Sequence, residues 1–426
     1  MKAVHSLVAA TALMASSLTA WQAGASLDTI AQDYIRLVLE VGEHEPGYVD
    51  AYYGPADLAT QAKASPRSVA QLKTEADRLK AAAETARTSS PMEAKRARFL
   101  AAQLKAVRTR LDMIEGKRLP FAEEAESLFG ARPTVQPLSD FDPILSNLEK
   151  LVPGEGPLHE RVEAFRKGYT VPTDKLDAVM RAATAECKRR TVQHIKLPEG
   201  EQFSLAFVTD KPWSGYNWYK GNANSLIEVN VDLPVFIDRA IDLGCHEGYP
   251  GHHVFNMLLE EKLARQRGWQ EFTVYPLFSP QSFIAEGSAN FGIDLAFPGD
   301  ERLKFEQETL YPLAGLDPKT APALIQLQKL TEALAPARYT IAAEYLAGNI
   351  DRETAIALGQ KYRLVTRGHA ERDVKFIETY RSYVINYGLG KEMVRDHVNA
   401  AGPDQNARWE RMEHILSEPT LPEDLN

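Results

Sequence analysis

The chain has 426 residues, of which 44% are hydrophobic and 25% are charged, and its formal net charge is −9. This composition excludes a collagen-like or wholly disordered chain and is typical of a globular protein with a large core. Acidic residues outnumber basic ones by 58 to 49 and no long basic run occurs, so a nucleic-acid partner is not expected.

The first 25 residues have the pattern of an export signal. Lys2 supplies a positive start, an apolar run covers 7–15, and residues 23–25 (AGA) form an A-x-A cleavage site. The apolar run is shorter than the about 20 residues of a membrane span, and no cysteine follows it that could carry a lipid. We therefore predict cleavage before Ser26, export to the periplasm and no membrane anchor in the mature chain. The alternative is an amphipathic first helix of the fold.

Helical patterns dominate from residue 26 to about 195. A cap-and-proline start followed by apolar residues at helical spacing predicts a helix over 90–116. The stretch 66–87 has a matching pattern, so the two should form an αα-hairpin. Further helices are expected near 143–152 and over 175–195.

After residue 197 the pattern of apolar and polar residues changes. Phe203, Leu205 and Phe207 alternate with polar residues, which indicates a strand. In 214–231, a Gly-Asn pair separates an aromatic run from an alternating run, a pattern typical of a β-hairpin. From 233 onwards the pattern is helical again. The sequence therefore predicts a mainly α fold with one small β-sheet inserted before residue 233.

The segment after this sheet, IDLGCHEGYPGHHVFNMLL at 241–259, concentrates residues that can bind a metal. His246, Glu247, His252 and His253 fall within eight residues, although the whole chain has ten histidines. Neutral imidazoles bind Zn²⁺, and a carboxylate beside them can take a proton from water. A polar turn at the surface is the alternative to a metal site.

The spacing of these histidines decides which of them can share a metal. In a straight helix, His252 would point about 120° away from His246, and His253 would lie about 10 Å further along the same face. Pro250 should break or distort the helix before that point. His252 is therefore the expected second ligand, with His253 as the alternative.

The octapeptide HEGYPGHH at 246–253 resembles the H-E-x-x-P-G-H-H signature of the domain-of-unknown-function 885 family, whose members are similar to zincin metallopeptidases of the Glu-ligand type. The EGSA sequence at 286–289 is similar to the E-G-x-A element of that family, and the match covers roughly 200–390. The resemblance implies a large helical zincin-like fold. It also implies one Zn²⁺ per chain, with ligands from His246, His252 and Glu286.

Two tyrosines near the C-terminus are candidates for oxyanion stabilisation. Tyr383 and Tyr387 are four residues apart and should share a helix face, and a phenol can donate a hydrogen bond to an oxyanion. Tyr387 is the position that a family tyrosine would match, although the preceding Pro-Gly-Gln of the family is missing here. Packing in a helical core is the alternative for both. Nearby arginines could bind a peptide carboxylate: Arg363, Arg367, Arg372 and Arg381.

Taken together, the sequence predicts a helical region over 26–195 and a metallohydrolase-like region over 196–426, which form one continuous unit. The predicted function is that of an exported zinc metallopeptidase, with Glu247 as general base and a peptide or small amide as substrate. A zinc hydrolase of a non-peptide amide or ester, and a non-catalytic helical binding protein, are the alternatives. The sequence leaves open whether Cys187 and Cys245 pair, and which oligomer forms.

Overall fold

The structure is a computed structural model that describes residues 26–211, 215–232 and 234–426. The predicted export signal lies outside the described residues. The described chain is mainly helical, as predicted. None of the helices among these residues combines the length and the apolar character needed to cross a bilayer.

The first eight helices build the N-terminal region. Their bounds are Leu27–His44 (α1), Ala56–Ala64 (α2), Val69–Glu84 (α3), Pro91–Ile114 (α4), Phe121–Phe129 (α5), Asp142–Leu151 (α6), Leu158–Lys167 (α7) and Thr173–Thr191 (α8). The predicted αα-hairpin is confirmed, because α3 and α4 pack against each other. The hydroxyls of Ser68 and Ser90 cap these two helices by accepting backbone N–H groups.

The remaining helices follow the main sheet. Their bounds are Asp238–Leu243 (α9), His252–Leu258 (α10), Pro280–Ala296 (α11), Glu301–Phe305 (α12), Tyr311–Ala314 (α13), Ala321–Glu332 (α14), Ala337–Leu346 (α15), Arg352–Arg363 (α16), Arg367–Tyr380 (α17), Ile385–Asn399 (α18) and Gln405–Ser417 (α19). Helix α11 is buried on nearly every face and packs along α18. It is therefore the central helix of this region.

The strands form two small sheets. Their bounds are Val49–Tyr52 (β1), Gln202–Val208 (β2), Gly215–Tyr219 (β3), Asn224–Asn230 (β4) and Val274–Pro276 (β5). The larger sheet has the order β2-β4-β3, with β2 parallel to β4 and β3 antiparallel to it, so the predicted β3–β4 hairpin is confirmed. The second sheet pairs β1 with β5. The expectation of a single sheet was therefore wrong, because these strands of four and three residues are too short to show alternation.

The two predicted regions share one buried core. Leu37 of α1 and Leu104 of α4 belong to the same apolar cluster as Ile284 of α11 and Val394 of α18, and all four are at most 1% exposed. The N-terminal helices therefore support the helices that carry the candidate ligands.

Candidate metal centre

Three side chains that the sequence nominates as metal ligands meet at one point. Nε2 of His246 lies 3.5 Å from Oε2 of Glu286, and Nε2 of His252 lies 3.8 Å from the same oxygen. Their ligand atoms all lie within 4.8 Å of one another. Oε2 of Glu286 is buried and has no hydrogen-bond partner of normal geometry among the described residues. Two imidazoles and one carboxylate are the donor set of a catalytic zinc site.

The backbone leaves helical geometry between the two histidines. Helix α9 runs into a π-helical turn at Gly244–Gly248, Tyr249 is extended, and α10 begins at His252. This is the break expected from Pro250, which cannot donate to a preceding carbonyl. Because of the break, the rings of His246 and His252 approach to 4.7 Å between centroids.

Gly251 is a steric requirement of this break. A Cβ at that position would lie 1.8 Å from the carbonyl oxygen of His246 and 2.5 Å from that of Cys245. The N–H of Gly251 donates to the Cys245 carbonyl at 3.0 Å. A residue with a side chain would therefore push the two ligand-bearing segments apart.

A disulfide joins Cys245, the neighbour of His246, to Cys187 in α8. Both cysteines are fully buried, and α8 packs against the π-helical turn. The bond ties the turn that carries His246 to α8 of the N-terminal region. It thereby restrains the backbone next to a candidate ligand.

Close helix packing holds Glu286 in place. A Cβ on Gly287 would come within 2.6 Å of the backbone of Gly390 in α18, and one on Gly292 would come within 2.8 Å of the Pro250 side chain. Helix α11 thus contacts α18 on one side and the break between the histidines on another. These contacts place the Glu286 carboxylate opposite both imidazoles.

Glu247 lies beside the cluster. Its Oε1 is 4.0 Å from Nε2 of His246, and its side chain is 8% exposed. Burial raises the pKa of Glu247 to about 7, with His246 opposing this shift and the charge of Glu286 adding to it. Asn217 of β3 donates to the Glu247 carbonyl at 2.6 Å and so fixes the turn. A carboxyl group that exchanges a proton near neutral pH is suited to acid–base catalysis.

Tyr383 contacts the other oxygen of Glu286, and Tyr387 packs against Tyr383. The hydroxyl of Tyr383 donates to Oε1 of Glu286 at 3.0 Å, and the rings of the two tyrosines are 5.8 Å apart. The prediction that they share one helix is wrong, because Tyr383 lies in the 3₁₀ turn Arg381–Val384 and only Tyr387 lies in α18. Burial raises the pKa of both phenols well above the ordinary value. Both therefore remain hydrogen-bond donors at neutral pH.

His253 belongs to a different polar network. Its Nδ1 lies 2.7 Å from Oγ of Ser225, and its Nε2 lies 3.0 Å from Oε2 of Glu201. Tyr249 donates to the same carboxylate oxygen at 2.7 Å. Burial disfavours the charge on Glu201, but hydrogen bonds from His253, Lys188 and Tyr249 outweigh it and lower the pKa of Glu201 to about 2. The structure therefore brings His252, and not His253, to the cluster.

Sequence reasoning did not identify Asp50 as a neighbour of the site. Asp50 lies in β1 and accepts a hydrogen bond from the Tyr216 hydroxyl of β3. Burial raises the pKa of Asp50 to about 6, the hydrogen bond from Tyr216 opposes this, and the charge of Glu286 adds to it. The pairing of β1 with β5, just before α11, brings Asp50 near Glu286. No local pattern in the sequence signals this contact.

Most of the arginines suggested for carboxylate binding are engaged elsewhere. Arg381 forms an ion pair with the buried Glu124, and Arg367 pairs with two glutamates on helices α16 and α17. Arg372 is exposed. Arg363 pairs with Asp373 of α17, which also faces Arg338 of α15.

No family model and no curated protein matches the chain. Among solved structures, a "putative lipoprotein from Colwellia psychrerythraea" is similar with a TM-score of 0.54 and 13% identity, over 87% of this chain and 68% of that one. A "putative lipoprotein of unknown function from Shewanella oneidensis" gives a TM-score of 0.46 and 15% identity, over 91% and 73% of the two chains. At these identities, the similarity to the Colwellia protein concerns the fold alone.

Proposed function

We propose that this chain is an exported zinc-dependent hydrolase that acts as a metallopeptidase. The observation that carries the proposal is the convergence of His246, His252 and Glu286, with the carboxyl group of Glu247 beside them. A purely structural zinc site would not require a carboxyl group at the position of Glu247, whereas a hydrolytic site requires a base there. The resemblance of the HEGYPGHH segment to the family signature supports the same assignment.

The roles of the residues follow from their positions. Zn²⁺ held by the three ligands would supply Lewis-acid activation of water and of a substrate carbonyl. Glu247 accepts the proton of the attacking water and passes it to the leaving nitrogen. Tyr387 donates to the oxyanion that forms on the carbonyl. Tyr383 holds the Glu286 carboxylate through its hydrogen bond and so orients a ligand.

A peptide substrate is favoured by the strand beside the site. The sheet order places β3 at an edge, and Asn217 of that strand binds the turn that carries Glu247. An extended peptide can add to such an edge through backbone hydrogen bonds. A small amide or ester would leave this edge unused.

Three observations support export. The first 25 residues have the signal pattern described above, and the Cys187–Cys245 disulfide suits an oxidising compartment. The Colwellia protein of similar fold is described as a "putative lipoprotein", and lipoproteins are exported. We propose the periplasm as the location and Ser26 as the mature N-terminus.

Metal analysis combined with a substrate panel tests the proposal. Elemental analysis of gently purified protein should find about one zinc per chain. Peptides should then be hydrolysed faster than small amides and esters. Faster cleavage of the small compounds would favour the non-peptide hydrolase. Zinc without turnover of any compound, or no transition metal at all, would favour the non-catalytic binding protein.

A further inference from the structure

Two arginines share a single carboxylate near the tyrosines. Arg338 lies in α15, Arg363 ends α16, and both face Asp373 in α17: Nη2 of Arg338 is 3.7 Å from one oxygen of Asp373, and Arg363 pairs with the other. Asp373 is the only acid in ion-pair range of either guanidinium among the described residues. The group therefore carries an excess positive charge.

The hydrogen-bonding capacity of Arg338 is not filled by the protein. Its Nε is buried and has no hydrogen-bond partner among the described residues, and its contact with Asp373 at 3.7 Å is longer than a hydrogen bond. Burial and the nearby charge of Arg338 lower the pKa of Arg363, which indicates that one carboxylate compensates the two cations poorly. An unmet buried donor of this kind requires an explanation, and a bound anion would provide one.

A row of packed aromatic rings leads from Arg338 to the three candidate metal ligands. The Arg338 guanidinium lies 5.0 Å from the centroid of the Phe376 ring, which is 6.3 Å from the ring of Tyr387. Tyr387 packs against Tyr383, the residue that donates to Glu286. Phe376, Tyr387 and Arg338 are all half-buried rather than closed off. A peptide in extended conformation would need up to about three residues, at roughly 3.4 Å each, to reach from Arg338 to Tyr387.

We propose that Arg338, supported by Arg363, binds a carboxylate of the substrate, and that this carboxylate is the free C-terminus of a short peptide. The proposal rests on the metallopeptidase function proposed above and defines its substrate class. A guanidinium offers parallel donors that match a carboxylate, with greater geometric specificity than an ammonium group. Asp373 would hold Arg363 in place, while the free N–H groups of Arg338 would donate hydrogen bonds to the C-terminal carboxylate of the substrate. Cleavage would then occur within a few residues of the C-terminus.

The hydrolytic test compares acetyl-tetraalanine with its C-terminal amide, and adds an amidated acetyl-Ala-Ala-Asp-Ala to detect a side-chain carboxylate. The zinc-loaded wild type should cleave the free acid at least tenfold more efficiently than either amide. Arg338→Gln should lose this preference through a rise in KM for the free acid, and Arg338→Lys should restore part of it. The matched control is Arg395→Gln, because Arg395 is a partly exposed arginine of α18 that pairs with Asp396, and it should behave as wild type.

A binding measurement separates this inference from the proposed function. Calorimetry on zinc-loaded Glu247→Gln protein should show at least tenfold tighter binding of the free acid than of its amide, and addition of Arg338→Gln should abolish the difference. Selective binding without turnover by the wild type would overturn the peptidase function and leave the carboxylate site standing. Equal binding or cleavage of acid and amide, or binding of neither peptide, would overturn the carboxylate site. Preference for the aspartate-containing amide would replace the C-terminus by an acidic side chain, and would also overturn the inference.

Discussion

The hydroxyl of Tyr383 donates a hydrogen bond to Oε1 of Glu286 at 3.0 Å, while Oε2 of the same carboxylate faces the imidazoles of His246 and His252. One oxygen thus fixes the orientation of the group and the other is directed at two potential co-ligands. A buried carboxylate is costly unless it is paired, and a cation between these three groups would neutralise it. This relationship is the physical basis for the predictions on the metal site.

The choice between the two neighbouring histidines can be tested by substitution. His252→Ala removes an imidazole from the cluster and should reduce the zinc content to less than a tenth of the wild-type value. His253→Ala should keep the zinc but lower the free energy of unfolding by about 1–3 kcal/mol, because buried polar groups lose their partner. Elemental analysis and denaturant unfolding provide the two readouts. Loss of zinc in His253→Ala with retention in His252→Ala would assign the ligand to His253 instead.

Gly251→Ala should disrupt the break that brings the histidines together. The added methyl group would meet the His246 carbonyl oxygen at 1.8 Å, so the backbone must move, at a cost of about 3 kcal/mol in the free energy of unfolding and with loss of zinc. Gly368→Ala in α17 is the control, because its Cβ would meet nothing closer than 4.0 Å; it should be neutral or slightly stabilising. A Gly251→Ala protein with normal stability and zinc content would contradict the steric argument.

The disulfide should contribute directly to stability. Unfolded protein treated with a thiol reagent in the absence of reductant should show no free thiol, since Cys187 and Cys245 are paired. The Cys187→Ala/Cys245→Ala double variant should lose about 2–4 kcal/mol of unfolding free energy, because the unfolded chain is no longer cross-linked. Guanidinium titration measures this loss. Two reactive thiols in the wild type would show that the bond does not form.

Glu201 should make the free energy of unfolding depend on pH in the acidic range. Its pKa falls from 4.5 in the unfolded chain to about 2 in the fold, so its contribution is complete above about pH 4.5 and is lost as the pH falls towards 2. Glu201→Gln should lower stability at pH 7 by about 1–3 kcal/mol and flatten the pH dependence across that window. Urea unfolding at a series of pH values provides the measurement. An unchanged slope between pH 4.5 and 2 would show that Glu201 is not held in its charged form.

Local signals in the sequence account for the elements that were predicted correctly. The capped starts at Ser68 and Ser90 and the turn between β3 and β4 depend on residues close together in the chain. The break at Pro250 likewise follows from the geometry of proline. For this reason the spacing of His246 and His252 could be interpreted before their positions were known.

Local patterns of this kind do not predict contacts between segments that are far apart in the chain. The β1–β5 pair joins short strands far apart in the chain, and it brings Asp50 towards Glu286. The Cys187–Cys245 bond and the unfilled donor of Arg338 also depend on how helices pack. Charge-bearing residues are common on helices, so only the three-dimensional arrangement distinguishes Arg338 from its neighbours.

The most direct test of the account is the Glu247→Gln variant, assayed for zinc and for hydrolysis in the same preparation. The amide keeps the shape of the side chain and cannot act as a base, so the protein should retain its fold and its zinc while hydrolysis falls by about 10²-fold or more. Glu413→Gln, a change on α19, serves as the control and should leave both readouts unchanged. Loss of zinc from Glu247→Gln would make Glu247 a ligand, and full activity on a confirmed substrate would contradict its role as the general base.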